Sequence, residues 1–500
     1  MMKGNSLNPN PHYSKKKGGL PHTEPKVEHL QKEANMDVFF NPKTVAIIGA
    51  SEKLRFGYFV TKSLLSRTDL KAYPVHIKAD TVMGVKAYRS VKDIPDSVDL
   101  VLFIVPSQAA PSAMRDCAEK GVKHVIVLSA GFAEVDEVGE ERQREIVEIA
   151  RKNGMRVIGP NCVGVTNLSN RFTTADIDVN SLKEGNVAFI AQSGVFGTVI
   201  IDWAAANNFG LSKIITLGNK CDVDEIDMLN YLENDDETRV ICLYLEGIKE
   251  GRGRDFIETF RRVTRKKPVI VLKSGRTSAG ARAVRSHTGS IAGNDRVFDA
   301  VLKQTGAIRV DSVEELLDTA KVLATQPLPE TDGVAILTNS GSLAAMTCDE
   351  LENLGMKLAT FEPETTEKMK KVAPYWTSVK NPVDIGPAML QVGPQVLEAV
   401  LEDRNVGCLL IITSPPGMLV KPYGMGLDLV PFYKLYKRVI DKHPEKTVIV
   451  SSFGDQDIVR AAREVFEEAG IPLIHSVRNA ARAIAAVYRY KKYLDSSKNH

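Results

Sequence analysis

The chain has 500 residues, 43% of them apolar and 25% charged, a globular composition too long for one core and suited to roughly two to four domains. Its 65 basic and 62 acidic residues leave a net charge of +3, and residues 1–35, with six Lys against three acidic residues, hold that whole excess. The balanced remainder and the 6% aromatic content argue against a nucleic-acid surface, and no apolar run reaches the roughly 18–20 residues of a membrane span.

Residues 1–35, rich in Asn, Pro, Gly and Lys, read as a disordered tail. They lack the apolar stretch of a signal peptide and the Arg of a transit peptide, so a cytoplasmic location is expected. From about Asp37 the pattern is buried strand, small-residue turn, helix. The apolar runs at 45–48, 100–105, 124–128 and 156–158 end respectively at Gly49-Ala50-Ser51, Pro106, Ser129-Ala130-Gly131 and Gly159-Pro160-Asn161. Continuous apolar strands alternating with polar-faced helices predict a parallel sheet covered on both faces. Ligands of such sheets bind at the carboxyl ends of the strands, which makes these turns the candidate site. A second unit starts near Gly185, with strands at 187–190, 214–215, 240–245 and 269–272. A third follows the linker-like Gln326-Pro327-Leu328-Pro329, with strands at 334–337, 408–412 and 448–450. The second and third units read as a duplication, because VAFIAQSG at 187–194 matches VAILTNSG at 334–341, and KKPVIV matches EKTVIV. Six cysteines (Cys117, Cys162, Cys221, Cys242, Cys348 and Cys408), scattered without a C-x-x-C pair, read as small thiols of a reducing compartment, most of them buried.

Four places could carry chemistry. Gly49-Ala50-Ser51, with Gly57 eight residues after Gly49, suits a phosphate held by backbone N–H groups, or a bare strand–helix turn; the spacing is not G-x-G-x-x-G. Ser193-Gly194 suits a small anion at a helix start, or an ordinary Ser N-cap. The stretch Ser286-His287-Thr288-Gly289-Ser290-Ile291-Ala292-Gly293 sets one His among hydroxyl and Gly residues, as a phosphohistidine carrier in a mobile loop would need. Its alternative is a solvent-exposed loop His. Such a His needs a carboxylate to orient its ring, and Glu246, closing the run Leu243-Tyr244-Leu245, is placed for it or is a plain strand-end carboxylate.

Taken together, VAIIGAS, MGVKAYRSV, SAGFAE, GPNCVG, FIAQSG, TLGNKCDVDEIDMLNYL, LYLEGI, SHTGSIAG and NPVDIG resemble the ADP-forming acyl-CoA synthetases, also called ADP-forming acetate–CoA ligases. More distantly, they resemble the alpha subunit of succinyl-CoA synthetase. The resemblance runs from about residue 37 to 490. It implies an α/β chain with a Rossmann-like CoA-binding domain at 36–180, followed by two flavodoxin-like doubly wound domains. These are a CoA-ligase domain with the phosphohistidine loop at 181–326 and a second ligase-like domain at 327–490, with 491–500 as a tail. By motif position, His287 resembles the phosphorylated His, Glu246 its partner, and Ser193 and Gly194 the phosphate-binding helix start. Gly49, Ser51 and Gly57 match the first CoA turn, and Lys78, Pro106, Ser129 and Asn161 fall in its other CoA-lining segments. Cys162, in the GPNC motif, gains a place near the CoA thiol beside its reading as a core thiol. CoA is then a substrate, no metal binds this chain, and Mg with ADP or ATP belongs to an ATP-grasp beta subunit in a hetero-oligomer. No ligand is assigned to TNSGSLAAM of the third unit. The readings from other classes are a CoA-binding regulatory or scaffold protein on the same fold and, third, a nicotinamide dehydrogenase.

Overall fold

The computed structural model describes residues 35–288 and 294–498, without the side chains of 285–288. The expected tail therefore lies, apart from Asn35, outside the described residues.

The first sheet has five parallel strands: Thr44–Ile48, Lys71–Val75, Leu100–Phe103, His124–Val127 and Arg156–Ile158, in spatial order 2-1-3-4-5. The inner strands are the continuous apolar runs of the sequence, and they are buried on both faces. Lys71–Val75 carries no such run. It is an edge strand with an exposed start, which is where Pro74 is tolerated.

The second sheet repeats that order with Glu184–Ala191, Leu211–Thr216, Val240–Leu245, Val269–Lys273 and Ile308–Val310, all parallel. Two antiparallel strands extend it, Gly164–Asn167 against Leu211–Thr216 and Phe172–Thr173 beyond that. Residues 164–173, expected within the first domain, thus pair with the second sheet. They are short and polar, held by contacts such as Thr166 to Thr173 at 2.8 Å between hydroxyls, so no apolar run marks where they belong.

The third sheet takes Gly333–Thr338, Lys357–Leu358, Cys408–Thr413 and Thr447–Ser452 in order 2-1-3-4, with Val383–Asp384 pairing with the first of these. The segments matched as a duplication hold equivalent places. Glu184–Ala191 and Gly333–Thr338 are each the first strand, and each leads into a 13-residue helix, Gly194–Ala206 and Gly341–Asn353. The final helix, Val477–Ser497, packs against Val313–Thr325 of the second unit. Residues 491–497 are therefore helical rather than tail.

Cores are shared across the units. Ile126 and Ile158 of the first sheet lie in one apolar cluster with Ile190, Ile215 and Leu243 of the second. Leu316, Ala320 and Leu323 join Ala480, Ile484 and Val487 in another cluster, bridging second and third. Among the described residues no helix is long and apolar enough to cross a membrane.

Candidate active site

The expected site residues of the first unit each follow a strand of the first sheet. Lys78 comes after Lys71–Val75, Gly49 and Ser51 after Thr44–Ile48, Pro106 after Leu100–Phe103, Ser129 after His124–Val127, and Asn161 after Arg156–Ile158. In the second unit Ser193 and Gly194 follow Glu184–Ala191, and Glu246 follows Val240–Leu245. The carboxyl edges of the two sheets meet in a cleft of about 290 Å³ whose lining includes Ser129, Asn161, Cys162, Gln192, Ser193 and Gly194. Gly49, Ser51, Gly57, Lys78 and Pro106 do not line it. Phe56, beside Gly57, brings the 49–57 loop to it.

The segment 218–223 brings the edges together. Asn219 N–H donates to the Pro160 carbonyl at 2.9 Å, Cys221 N–H to Gly159 at 2.9 Å and Val223 N–H to Val157 at 3.1 Å. Arg156 and Asp222 add a largely buried ion pair at 2.9 Å. Gly218, at φ +58°, makes the approach possible, because a Cβ there would stand 2.1 Å from the Pro160 carbonyl oxygen and 2.5 Å from that of Asn161. Asn161 is itself left-handed, at φ +59°, a conformation that Asn tolerates. Its N–H donates to the Ser129 carbonyl at 2.9 Å.

On the second-unit side, Ser193 is the N-cap of helix Gly194–Ala206, and its Oγ accepts from Phe196 N–H at 3.4 Å. The first-turn amides of Gly194 and Val195 have no partner within the helix and line the cleft, so the helix end suits an anion. Behind it, buried Gln192 reaches the next strand, its Oε1 accepting from the N–H groups of Glu246 at 2.9 Å and Gly247 at 3.3 Å. Tyr244 hydroxyl lies 3.4 Å from Glu246 Oε1 and 3.2 Å from Ser274 Oγ. Glu246 is 3% exposed, so it is a buried group at the rear of the site and not a strand-end carboxylate in water.

His287 lies in the last turn of helix Ser278–Thr288, not in a loop. Ala279, Ala281, Ala283 and the intervening Arg residues favour helix through Ser286 and His287. The His287 side chain and residues 289–293 fall outside the described residues.

The first CoA turn differs from expectation in its physics. Gly49, at φ +93°, has the Ile104 carbonyl oxygen 2.4 Å from where its Cβ would be, so its backbone is pressed against the neighbouring strand end. Helix Tyr58–Leu65 already holds a carboxylate at its start. Asp176 accepts from Gly57 N–H at 3.0 Å and Val60 N–H at 2.9 Å. The N–H groups of Gly49 and Gly57 are therefore both occupied, that of Gly49 by the Val75 carbonyl at 3.0 Å. Cys162 is a core thiol lining the cleft floor: it is 4% exposed, its Sγ donates to the Val127 carbonyl at 3.4 Å, and burial pushes its pKa up to about 12. In the third unit, a Cβ on Gly341 at the equivalent helix start would come within 2.9 Å of Asp384 Oδ2. Asp384 Oδ1 accepts from Gly386 N–H at 3.0 Å.

Residues 43–167 match the family of CoA binding domains, and residues 184–323 that of succinyl-CoA ligase like flavodoxin domains. Over 469 residues the chain is 39% identical to the alpha subunit of the ADP-forming acetate–CoA ligase II of Pyrococcus furiosus, covering 93% of this chain and 100% of that one. The chain belongs to the ADP-forming acetate–CoA ligase family. Another family member, the ADP-forming 4-hydroxybutyrate–CoA ligase of Nitrosopumilus maritimus, is 36% identical over 91% of this chain, which spans 64% of that relative. Among solved structures, the dinucleotide-forming acetyl-coenzyme A synthetase 1 of Candidatus Korarchaeum cryptofilum, in complex with phosphate and ADP, is similar with a TM-score of 0.85. It is 34% identical, and the match covers 93% of this chain and 99% of that one. The expected family and α/β fold class are borne out. Sequence reasoning did not assign Phe56, Asp176, Gln192, Gly218 or Asn219. Gln192 and Gly218 lie inside the quoted FIAQSG and TLGNKCDVDEIDMLNYL, and asking what satisfies a strand-end turn would have singled out Gln192.

Proposed function

We propose that this chain is the alpha subunit of an ADP-forming acyl-CoA synthetase, interconverting acyl-CoA, ADP and phosphate with carboxylate, CoA and ATP. Acetyl-CoA is the first acyl group to test, because the alpha-subunit relative is named for acetate. Phosphate at the start of helix Gly194–Ala206 attacks the thioester carbonyl. The carbon–sulfur bond breaks, CoA leaves as the thiolate and takes up a proton, and an acyl phosphate remains. A ring nitrogen of His287 then attacks phosphorus, the bond to the acyl oxygen breaks, and the carboxylate departs. Glu246 orients and stabilises the phosphorylated imidazole. Residues 51–56, Lys78, Pro106, Ser129 and Asn161 hold CoA along the first sheet's edge. ADP with Mg, on a separate ATP-grasp beta subunit, receives the phosphoryl group within a cytoplasmic hetero-oligomer. Positioning and charge stabilisation supply most of the rate. The observation that carries the reading is the single cleft shared by Ser129, Asn161, Ser193 and Gly194, one Gln192 side chain away from Glu246.

The test is phosphorylation by labelled ATP and Mg in the presence of the beta subunit. Wild type should take up an acid-labile, base-stable label that His287→Ala lacks, and Glu246→Gln should slow labelling and turnover by about 10²–10⁴-fold. Undiminished labelling of His287→Ala would remove His287 from the mechanism.

A further inference from the structure

The turn that carries Glu246 has all four of its main-chain polar groups held by buried side chains. Gln192 takes the two N–H groups. Lys273 Nζ donates to the Glu246 carbonyl at 2.7 Å and also to the Ser274 carbonyl. Lys220 Nζ donates to the Gly247 carbonyl at 2.7 Å and pairs with Glu225 at 2.9 Å. Lys220 is 3% exposed and Lys273 5%. Burying an ammonium costs several kcal/mol unless it is paired. Lys220 has Glu225 as compensation, whereas Lys273 is hydrogen-bonded only to carbonyls and forms no ion pair among the described residues. A charge kept at that cost beside a candidate catalytic carboxylate marks a functional group.

The charged groups around Lys273 come from every neighbouring element. Glu246 and, through it, Tyr244 face it from the adjoining strand, and Lys220 with Glu225 from behind the turn. Asp295 and Arg309, paired at 2.8 Å, face it from helix Asp295–Thr305 and strand Ile308–Val310, where Arg309 also meets Asp299. The Phe298 ring centroid lies 5.8 Å from Nζ. Burial outweighs the pull of Asp295 and Glu246, and it brings the Lys273 pKa down to about 8.

We propose that Lys273 is a positioning residue for phosphoryl transfer, whose ammonium fixes the Glu246 carbonyl and so aims the Glu246 carboxylate at the phosphohistidine. This rests on the roles proposed above for Glu246 and His287. A charged donor holds a carbonyl more strongly than a neutral amine does. The turn is therefore tightest below the Lys273 pKa and loosens as pH rises through about 8.

The experiment compares wild type, Lys273→Met and Lys273→Arg, each assembled with the beta subunit, for ATP formation from about pH 6 to about pH 10. Thermal melts and calorimetric CoA binding check the fold. Lys273→Met should lose about 10²-fold in kcat at every pH, with the KM for acyl-CoA within about twofold of wild type. Lys273→Arg, charged throughout, should recover part of kcat and lose the alkaline fall that wild type shows near pH 8. Wild-type kcat in Lys273→Met, or the same alkaline fall in Lys273→Arg, overturns the proposal. If the larger Arg fails to fold, Lys273→Gln decides: it keeps a donor without charge, should be as slow as Lys273→Met, and at full kcat would overturn the proposal. A wild-type complex that neither turns over nor labels His287 overturns the proposed function itself, and this role with it.

Discussion

Gln192→Met keeps the length and volume of the side chain and removes the oxygen that accepts from Glu246 N–H and Gly247 N–H. Both residues and Gln192 are buried, so no water stands ready to replace it. A stranded buried donor costs about 1–3 kcal/mol, and two of them cost about 2–6 kcal/mol. That cost falls on one turn of a chain with several sheets, so a local probe reads it most directly. The direct assay is hydrogen exchange read by mass spectrometry on peptides spanning residues 244–248. At about 1.4 kcal/mol per decade, the lower bound corresponds to about 30-fold faster opening at these two amides. Gln192→Glu retains an acceptor oxygen and should retain most of the protection. Turnover with the beta subunit should fall in Gln192→Met, as the carboxylate of Glu246 is no longer held. Unchanged protection at residues 246 and 247 in Gln192→Met would refute the role assigned to Gln192.

Other outcomes follow from the same geometry. Gly218→Ala puts a Cβ 2.1 Å from the Pro160 carbonyl oxygen in a left-handed conformation. It should cost about 2–5 kcal/mol and lower both the melting temperature and kcat, and a wild-type melt would refute the tight approach of the two sheets. Gly49→Val should weaken CoA binding by calorimetry together with first-unit stability, since its side chain meets the Ile104 carbonyl at 2.4 Å. Lost CoA affinity at unchanged stability would instead place CoA directly on Gly49. With its pKa raised to about 12, the Cys162 thiol stays protonated at neutral pH, its thiolate suppressed by about 10³ relative to a free thiol. A thiolate-selective reagent should label Cys162 only after unfolding, and labelling at an ordinary exposed rate would contradict its burial.

The inner strands were legible because each is an uninterrupted apolar run, such as Val240–Leu245, buried on both faces. What escaped notice was held by other forces. Lys71–Val75 is an edge strand carrying Pro74, and Gly164–Asn167 pairs through hydroxyls and main chain, so neither shows a hydrophobic signal. The candidate site was legible where a residue follows a strand, as Ser129, Asn161, Ser193 and Glu246 do. It was not legible where its geometry depends on contacts remote in sequence. Asp176 reaches the N–H of Gly57 across 119 positions, and Gln192 reaches Glu246 across 54. Spacing in one dimension carries no trace of either. Gly49 and Gly57 have a packing reason that their spacing does not show, because a Cβ at either would meet Ile104.

The Asp384 carboxylate beside the helix start at Gly341 separates the fates of the duplicated units. In the second unit, phosphate bound as proposed at the corresponding helix would add RT ln(1 + [L]/Kd) to stability, which would then rise with phosphate concentration. In the third, a carboxylate encoded in the chain lies beside the equivalent helix start. It is delivered once per molecule at synthesis and never dissociates. One unit would thus exchange its anion with its surroundings, while the other carries a carboxylate of its own.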